Sequence, residues 1–195
     1  MRGRVLTWDK LLKRGFTGPS WCVLCCRHSE DLQHILDTCP LASDLWDRGA
    51  VQFRRSDRKR GNPQDTLQSW SSTPYNNLIL NRAWELFPGM LMWTIWKERN
   101  AHIFKDQKKH TDSLWEMLAR NLKDTLQTHT WTDQDSKASA AESQILANWG
   151  IQPNCMHMNG LKNINFRPAS PEVWHLPPEG CYKLNFDGAS KGNPG

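Results

Sequence analysis

At 195 residues, 38% hydrophobic with 11 tryptophans, the chain is long enough for one ordinary domain or two small ones. Its mean hydropathy of −0.70 argues against one large continuous core and for small packed modules joined by exposed chain. The net charge of +5 is uneven: residues 1–60 carry 12 Lys and Arg against 7 Asp and Glu, while the remainder carries 13 of each, so the positive field sits in the first third, where it suits either an anionic partner such as nucleic acid or a solvated surface.

The Met1–Lys10 stretch is charged but has no apolar segment behind it, which excludes a signal peptide. The longest mainly apolar run, Met90–Trp96, falls far short of the ~20 residues that cross a bilayer, so no membrane partner is expected. Six cysteines without a secretory signal read as thiols or metal ligands of a nuclear or cytoplasmic protein, not as a disulfide framework.

Residues 5–14 read as a short helix with Trp8, Leu11 and Leu12 on one face, Thr7 as cap and Gly15 closing the end. Gly18-Pro19 turns the chain toward the first cysteines. A second helix is expected at about 30–37, capped by Ser29, with a third helical turn following Pro40. Residues 48–66 look like a linker, rich in Arg54, Arg55, Arg58, Lys59 and Arg60 and poor in groups to bury. The most helical part is 76–129. Here Leu78, Trp84, Leu86 and Phe87 precede a break at Pro88-Gly89, and Leu91, Met92, Ile95, Trp96, Arg99 and Ile103 continue at helical spacing. Leu114, Leu118, Leu122, Thr125 and Leu126 form a further stripe behind a Ser113/Glu116 capping box. Such stripes are core by default, with base stacking by the aromatics as the alternative. A weak helix at 137–149 ends at Gly150, residues 151–180 read as an extended proline-rich tether, and Cys181–Asp187 alternates as a half-buried strand.

The chemistry concentrates in one array. Cys22 and Cys25 are spaced so that one tight turn presents both sulfurs to one ion, and His34 and Cys39 follow from a helix and its end. Four such ligands match the tetrahedral set of a structural zinc ion, and metal binding would supply much of the stability of so small a module. Two other readings of the same residues stand beside this one. Cys26 or His28 could replace Cys25 or His34, or the cysteines could be small buried hydrophobes without metal. Near the other end, Asp187 precedes a glycine-rich turn, which suits either a Mg²⁺-holding carboxylate or a plain turn initiator.

With those residues in view, segment 5–46, including Leu-Thr-Trp-Asp-Lys-Leu-Leu-Lys-Arg-Gly and Cys39-Pro40, resembles the zinc-binding region of plant reverse transcriptases from long interspersed (non-LTR) retroelements. Trp93-Thr94-Ile95-Trp96-Lys97-Glu98-Arg99-Asn100 is similar to the helical stretch that follows in those proteins. Pro177–Gly180 and Lys183–Gly195 resemble the opening of their ribonuclease H type 1 domain. The resemblance implies that Asp187 is the first metal-binding carboxylate of a two-Mg²⁺ site that cleaves the RNA strand of an RNA–DNA hybrid, with Ser190 and Asn193 touching that RNA strand.

The expected protein is therefore mainly α. It would comprise a zinc-binding module at 1–50, a basic linker at 51–75, a Trp-rich helical region at 76–130, a flexible linker at 131–176 and, at 177–195, one orphan β-strand from a truncated α/β ribonuclease H domain. One carboxylate cannot hold two divalent ions ~3.5–4 Å apart, so the chain itself is expected to be an inactive fragment of a reverse transcriptase with ribonuclease H. Its expected role is zinc-dependent binding of RNA, DNA or their hybrid, through phosphate contacts from Arg54, Arg55, Arg58, Lys59 and Arg60. A protein-interaction scaffold is the competing expectation.

Overall fold

A computed structural model describes residues 6–55, 63–70, 74–129, 131, 132, 135 and 137–152. The chain divides into two units, 1–160 and 161–195, and every described residue belongs to the first. The architecture is mainly helical: α1 (Trp8–Leu12), a π-helical turn (His34–Thr38), α2 (Pro40–Gln52), α3 (Pro63–Ser69), α4 (Leu78–Lys105), α5 (Thr111–Gln127) and α6 (Ala140–Asn148). Among the described residues, extended pairing is confined to an isolated antiparallel bridge between Trp21 and Ser29. The expected strand at Cys181–Asp187, the tether and the ribonuclease H segment lie outside the described residues, as do Asp187, Ser190 and Asn193.

Helix α4 is the spine. Asn77 caps it, its side chain accepting from the Leu80 amide, and the helix then runs 28 residues to a left-handed Asp106. The break expected at Pro88-Gly89 does not occur; Pro88 lies inside the helix. A proline there removes a backbone hydrogen bond and crowds the preceding turn, at a cost of about 3 kcal/mol. Packing offsets that cost, because Trp84 and Phe87 before the proline and Leu91 and Ile95 after it are all buried in one core. The hydrophobic effect rewards keeping both halves on one axis.

The aromatic residues are that core. Trp70 stacks on Trp84 at 3.9 Å and on Phe87 at 5.0 Å. Phe53 meets Trp84 edge-on at 5.3 Å and Trp149 at 4.9 Å. Edge-to-face and offset contacts of this kind add to plain burial. Phe53 and Trp70 also correct the expectation for 48–66. Helix α2 extends to Gln52, Phe53 is fully buried, and α3 buries Thr66, whose hydroxyl donates to Asp37 at 3.2 Å. The aromatics flanking the basic residues were what the linker reading overlooked.

Helix α5 packs along α4 through Leu114, Leu118, Leu122 and Leu126, all fully buried, as their spacing predicts. Its start differs from expectation: the N-cap is His110, whose ring accepts from the Asp112 amide, so Ser113 and Glu116 lie inside the helix. The capping box is found on α6 instead, between Ser139 and Glu142. Glu142 also accepts from the amides of Asn76 and Asn77 at 2.7 and 3.0 Å, tying α6 to the start of α4. Gly15 and Gly150 adopt positive φ of 84° and 66° where the sequence expected helix ends.

Candidate metal centre

Residues 20–30 form a closed loop whose backbone bonds are set before any metal is considered. The Trp21–Ser29 bridge closes it, the Cys22 amide donates to the His28 carbonyl at 2.7 Å, and the Cys26 amide donates to the Cys22 carbonyl at 2.8 Å. Cys26 takes a left-handed φ of 55° to complete the turn. The loop thereby aims Cys22 inward, fully buried, and leaves Cys26 exposed, its thiol turned to the Val23 carbonyl.

The second pair of donors comes from the next segment. Asp31, not Ser29, caps the short helical stretch, its carboxylate accepting from the His34 amide at 2.7 Å. The turn His34–Thr38 widens to a π turn, in which the Cys39 amide donates to the His34 carbonyl at 2.6 Å. That widened turn sets Cys39 at the start of α2, with Pro40 in the first helical position.

The donor atoms of Cys22, Cys25, His34 and Cys39 all lie within 4.8 Å of one another. The Cys22 and Cys39 sulfurs are 4.0 Å apart, and the Cys25 sulfur is 3.2 Å from His34 Nε2. A tetrahedron with Zn–S bonds of about 2.3 Å has edges of about 3.8 Å, so three thiols and an imidazole at these separations fit zinc in size and softness. His34 Nδ1 lies 3.4 Å from the Thr38 hydroxyl, which can hold that nitrogen's proton and leave Nε2 facing the sulfurs. The groups that converge are those four, while Cys26 and His28 stay outside. The His28 ring lies 5.1 Å from that of His34.

Local electrostatics prepare the donors. The hydrogen bond from Cys22 holds the Cys39 thiol below its ordinary pKa against burial, with help from the Leu41 and Ala42 amides at the start of α2. The same hydrogen bond, with burial, pushes Cys22 up, so of the two thiols Cys39 ionises before Cys22. Burial and the nearby His28 lower His34, favouring the neutral ring that a metal requires.

Charged residues to which sequence reading gave no tertiary role pin this loop to α4. Buried Glu30 receives Arg99 at 2.5 Å and the Trp8 amide at 3.0 Å. His102 bridges the Val23 carbonyl at 3.2 Å and the Glu98 carboxylate at 3.0 Å, and Glu98 also accepts from the Lys109 amide at 2.7 Å. The Glu98–His102 spacing of four on a helix was a readable signal; a partner 69 residues away was not. Of the basic cluster, Arg54 is exposed and Arg55 lies over the Trp84 ring at 5.7 Å. Arg58, Lys59 and Arg60 lie outside the described residues.

A loop and a helix end bring three cysteines and one histidine together, seated on a helical body, as a set of donors that could hold one metal ion. Residues 1–46 match the protein family described as zinc-binding in reverse transcriptase, in line with the resemblance read from segment 5–46. The chain is also 26% identical, over 197 residues, to an Arabidopsis thaliana protein described as a ribonuclease H protein. That alignment takes in 98% of this chain and 26% of the relative, so the chain spans about a quarter of the relative's length. No solved structure matches. Among the described residues, no helix is long and apolar enough to cross a membrane.

Proposed function

We propose that this chain is the zinc-stabilised nucleic-acid-binding part of a retroelement reverse transcriptase with ribonuclease H. The observation that carries the reading is the convergence of Cys22, Cys25, His34 and Cys39 within a segment matching a reverse-transcriptase zinc-binding family. In this reading all four positions of one zinc ion are filled by protein. The metal is then structural, with no site left for an activated water. Its work is to hold the loop 20–30 and the start of α2 against the helical body.

The nucleic-acid contacts are assigned to the basic residues of the same unit, Arg54 and Arg55 with Arg58, Lys59 and Arg60, which would meet phosphates irrespective of sequence. The segment 177–195 is assigned to the opening of a ribonuclease H domain. There Asp187 would bind Mg²⁺, and Ser190 and Asn193 would touch the RNA strand. Cleavage needs further carboxylates to hold the second ion, so Asp187 alone does not cut. The working compartment on this reading is the nucleus or cytoplasm.

The test is binding of RNA, DNA and hybrid duplexes to the zinc-loaded chain across salt. Five phosphate contacts on a duplex give a log–log slope of about −4 to −5. A flat dependence, or no binding at about 50–100 mM salt, rejects the proposal. One observation favours a second reading, a protein-docking scaffold: Trp93 and Phe104 on α4 are 58% and 75% exposed. Charge reversal of Arg54, Arg55 and Arg58 would sharply weaken nucleic-acid binding and leave a protein partner bound.

A further inference from the structure

Beside the cysteine loop lies a cleft of about 380 Å³ that neither the metal nor the basic cluster uses. One wall is Pro19, Trp21 and Val23 from the loop; the other is His102 at the end of α4 with Asp106 and Lys108 just beyond it. Its volume is in the range of small-ligand sites.

Trp21 is held by its backbone bridge to Ser29 and stands next to the buried Cys22. His102 is clamped between the Val23 carbonyl and the Glu98 carboxylate, which holds its ring in the wall. Yet the Trp21 indole is 63% exposed, an unusual placement for the largest apolar side chain. An exposed indole lining a cleft, on backbone held by the loop's bridge, can serve as a stacking platform. The rim supplies what a nucleotide carries besides its ring: the exposed Lys108 ammonium for a phosphate, and the Asp106 carboxylate to accept from base amino groups. Exposed Lys105 and Arg27, on the two chain segments that form the cleft, add positive charge that an apolar peptide would not need.

We infer that this cleft takes one unpaired nucleobase of a single-stranded polynucleotide, stacked on Trp21 with its phosphate toward Lys108. The inference rests on the nucleic-acid reading above and adds to it a preference for single strands. A paired base cannot enter, because its faces are already stacked within the duplex.

The experiment uses the full zinc-loaded chain and labelled RNA and DNA strands of about 12 nucleotides, within the span such sites cover. A matched duplex and an abasic strand of the same length serve as comparisons. Trp21→Ala should weaken single-strand binding about 5- to 150-fold, the range found for one base–aromatic stack. Duplex and abasic binding should stay within about twofold, and Trp21→Phe should retain most of the affinity. Lys108→Ala should lower the salt slope by about one on the single strands and leave the duplex slope unchanged. Equal binding by Trp21→Ala and the unmodified chain overturns the inference while leaving nucleic-acid binding intact. So does an equal loss on single strand, duplex and abasic strand. Failure of the unmodified chain to bind any of them overturns the broader reading and this one together.

Discussion

Glu30 and Arg99 meet at 2.5 Å across 69 residues of sequence, with only 2% and 5% of their side chains exposed. The guanidinium also donates through Nε to the second carboxylate oxygen at 3.3 Å and lies over Trp96 at 5.1 Å. Glu30 stands four residues before His34, so this buried pair joins the cysteine loop to the C-terminal third of α4.

Removing one partner strands a charge in the interior. Arg99→Met should therefore cost about 3–5 kcal/mol of stability, read by urea unfolding of the zinc-loaded chain. The double variant Glu30→Leu/Arg99→Met should recover most of that loss, because two apolar groups replace two desolvated ions. A double variant as unstable as the single one would mean that the pair acts through something other than its charge.

Metal content is the direct check on the cysteine cluster. The purified chain should hold one zinc, and Cys22→Ala or Cys39→Ala should hold almost none. Metal chelation should unfold the loop, since structural zinc contributes about 10–16 kcal/mol of apparent binding energy in small modules. Cys26→Ala should keep its zinc, because the Cys26 thiol faces the Val23 carbonyl.

Helices α2 and α4 touch at Gly49. A Cβ built there would lie 2.2 Å from the ring of Phe87, itself fully buried. Gly49→Ala should destabilise the fold by about 1–3 kcal/mol, the usual cost of overpacking, despite alanine's better helix propensity. Adding Phe87→Leu should return part of the loss. A stabilised Gly49→Ala protein would refute the close approach.

Acid sensitivity should trace to Glu142. Burial raises its pKa, but hydrogen bonds from Ser139, Asn77 and Asn76 outweigh burial and hold it below its ordinary 4.5. A carboxyl depressed in the folded state binds its proton more readily when unfolded. Its stabilisation is complete above about pH 4.5 and is lost as pH falls through the lower folded value. Glu142→Gln should flatten stability between about pH 5 and 3, measured by thermal unfolding at each pH. An unchanged profile would assign the acid sensitivity elsewhere.

Much of the local structure was legible. The α5 leucine stripe repeats at helical spacing, Gly15 and Gly150 mark helix ends, and the four zinc-type donors lie within 18 positions. Each of these signals is carried by near neighbours. The misread elements were those where a local rule met a distant reward. Proline breaks an isolated helix, but Pro88 sits between turns that share a core with Phe53 and Trp70. Arginine-rich chain looks like linker, yet Phe53 and Trp70 on either side of that stretch are buried. Ser29 is a good cap by residue type, but its backbone is committed to Trp21, and Asp31 takes the role.

By itself, then, the sequence determined the ligand types, their order and most of the helices, because hydrophobic period and metal-ligand spacing are properties of adjacent residues. Only the tertiary structure decided that the metal loop is not a free-standing finger but is bolted to α4 through Glu30, Arg99, Val23 and His102. It also decided that Trp21 faces a cleft while the Trp46, Trp70, Trp84 and Trp149 rings are buried. The reason is common to both. A buried charge or an exposed indole gets its meaning from what lies across from it, and those partners come from chain segments dozens of residues away.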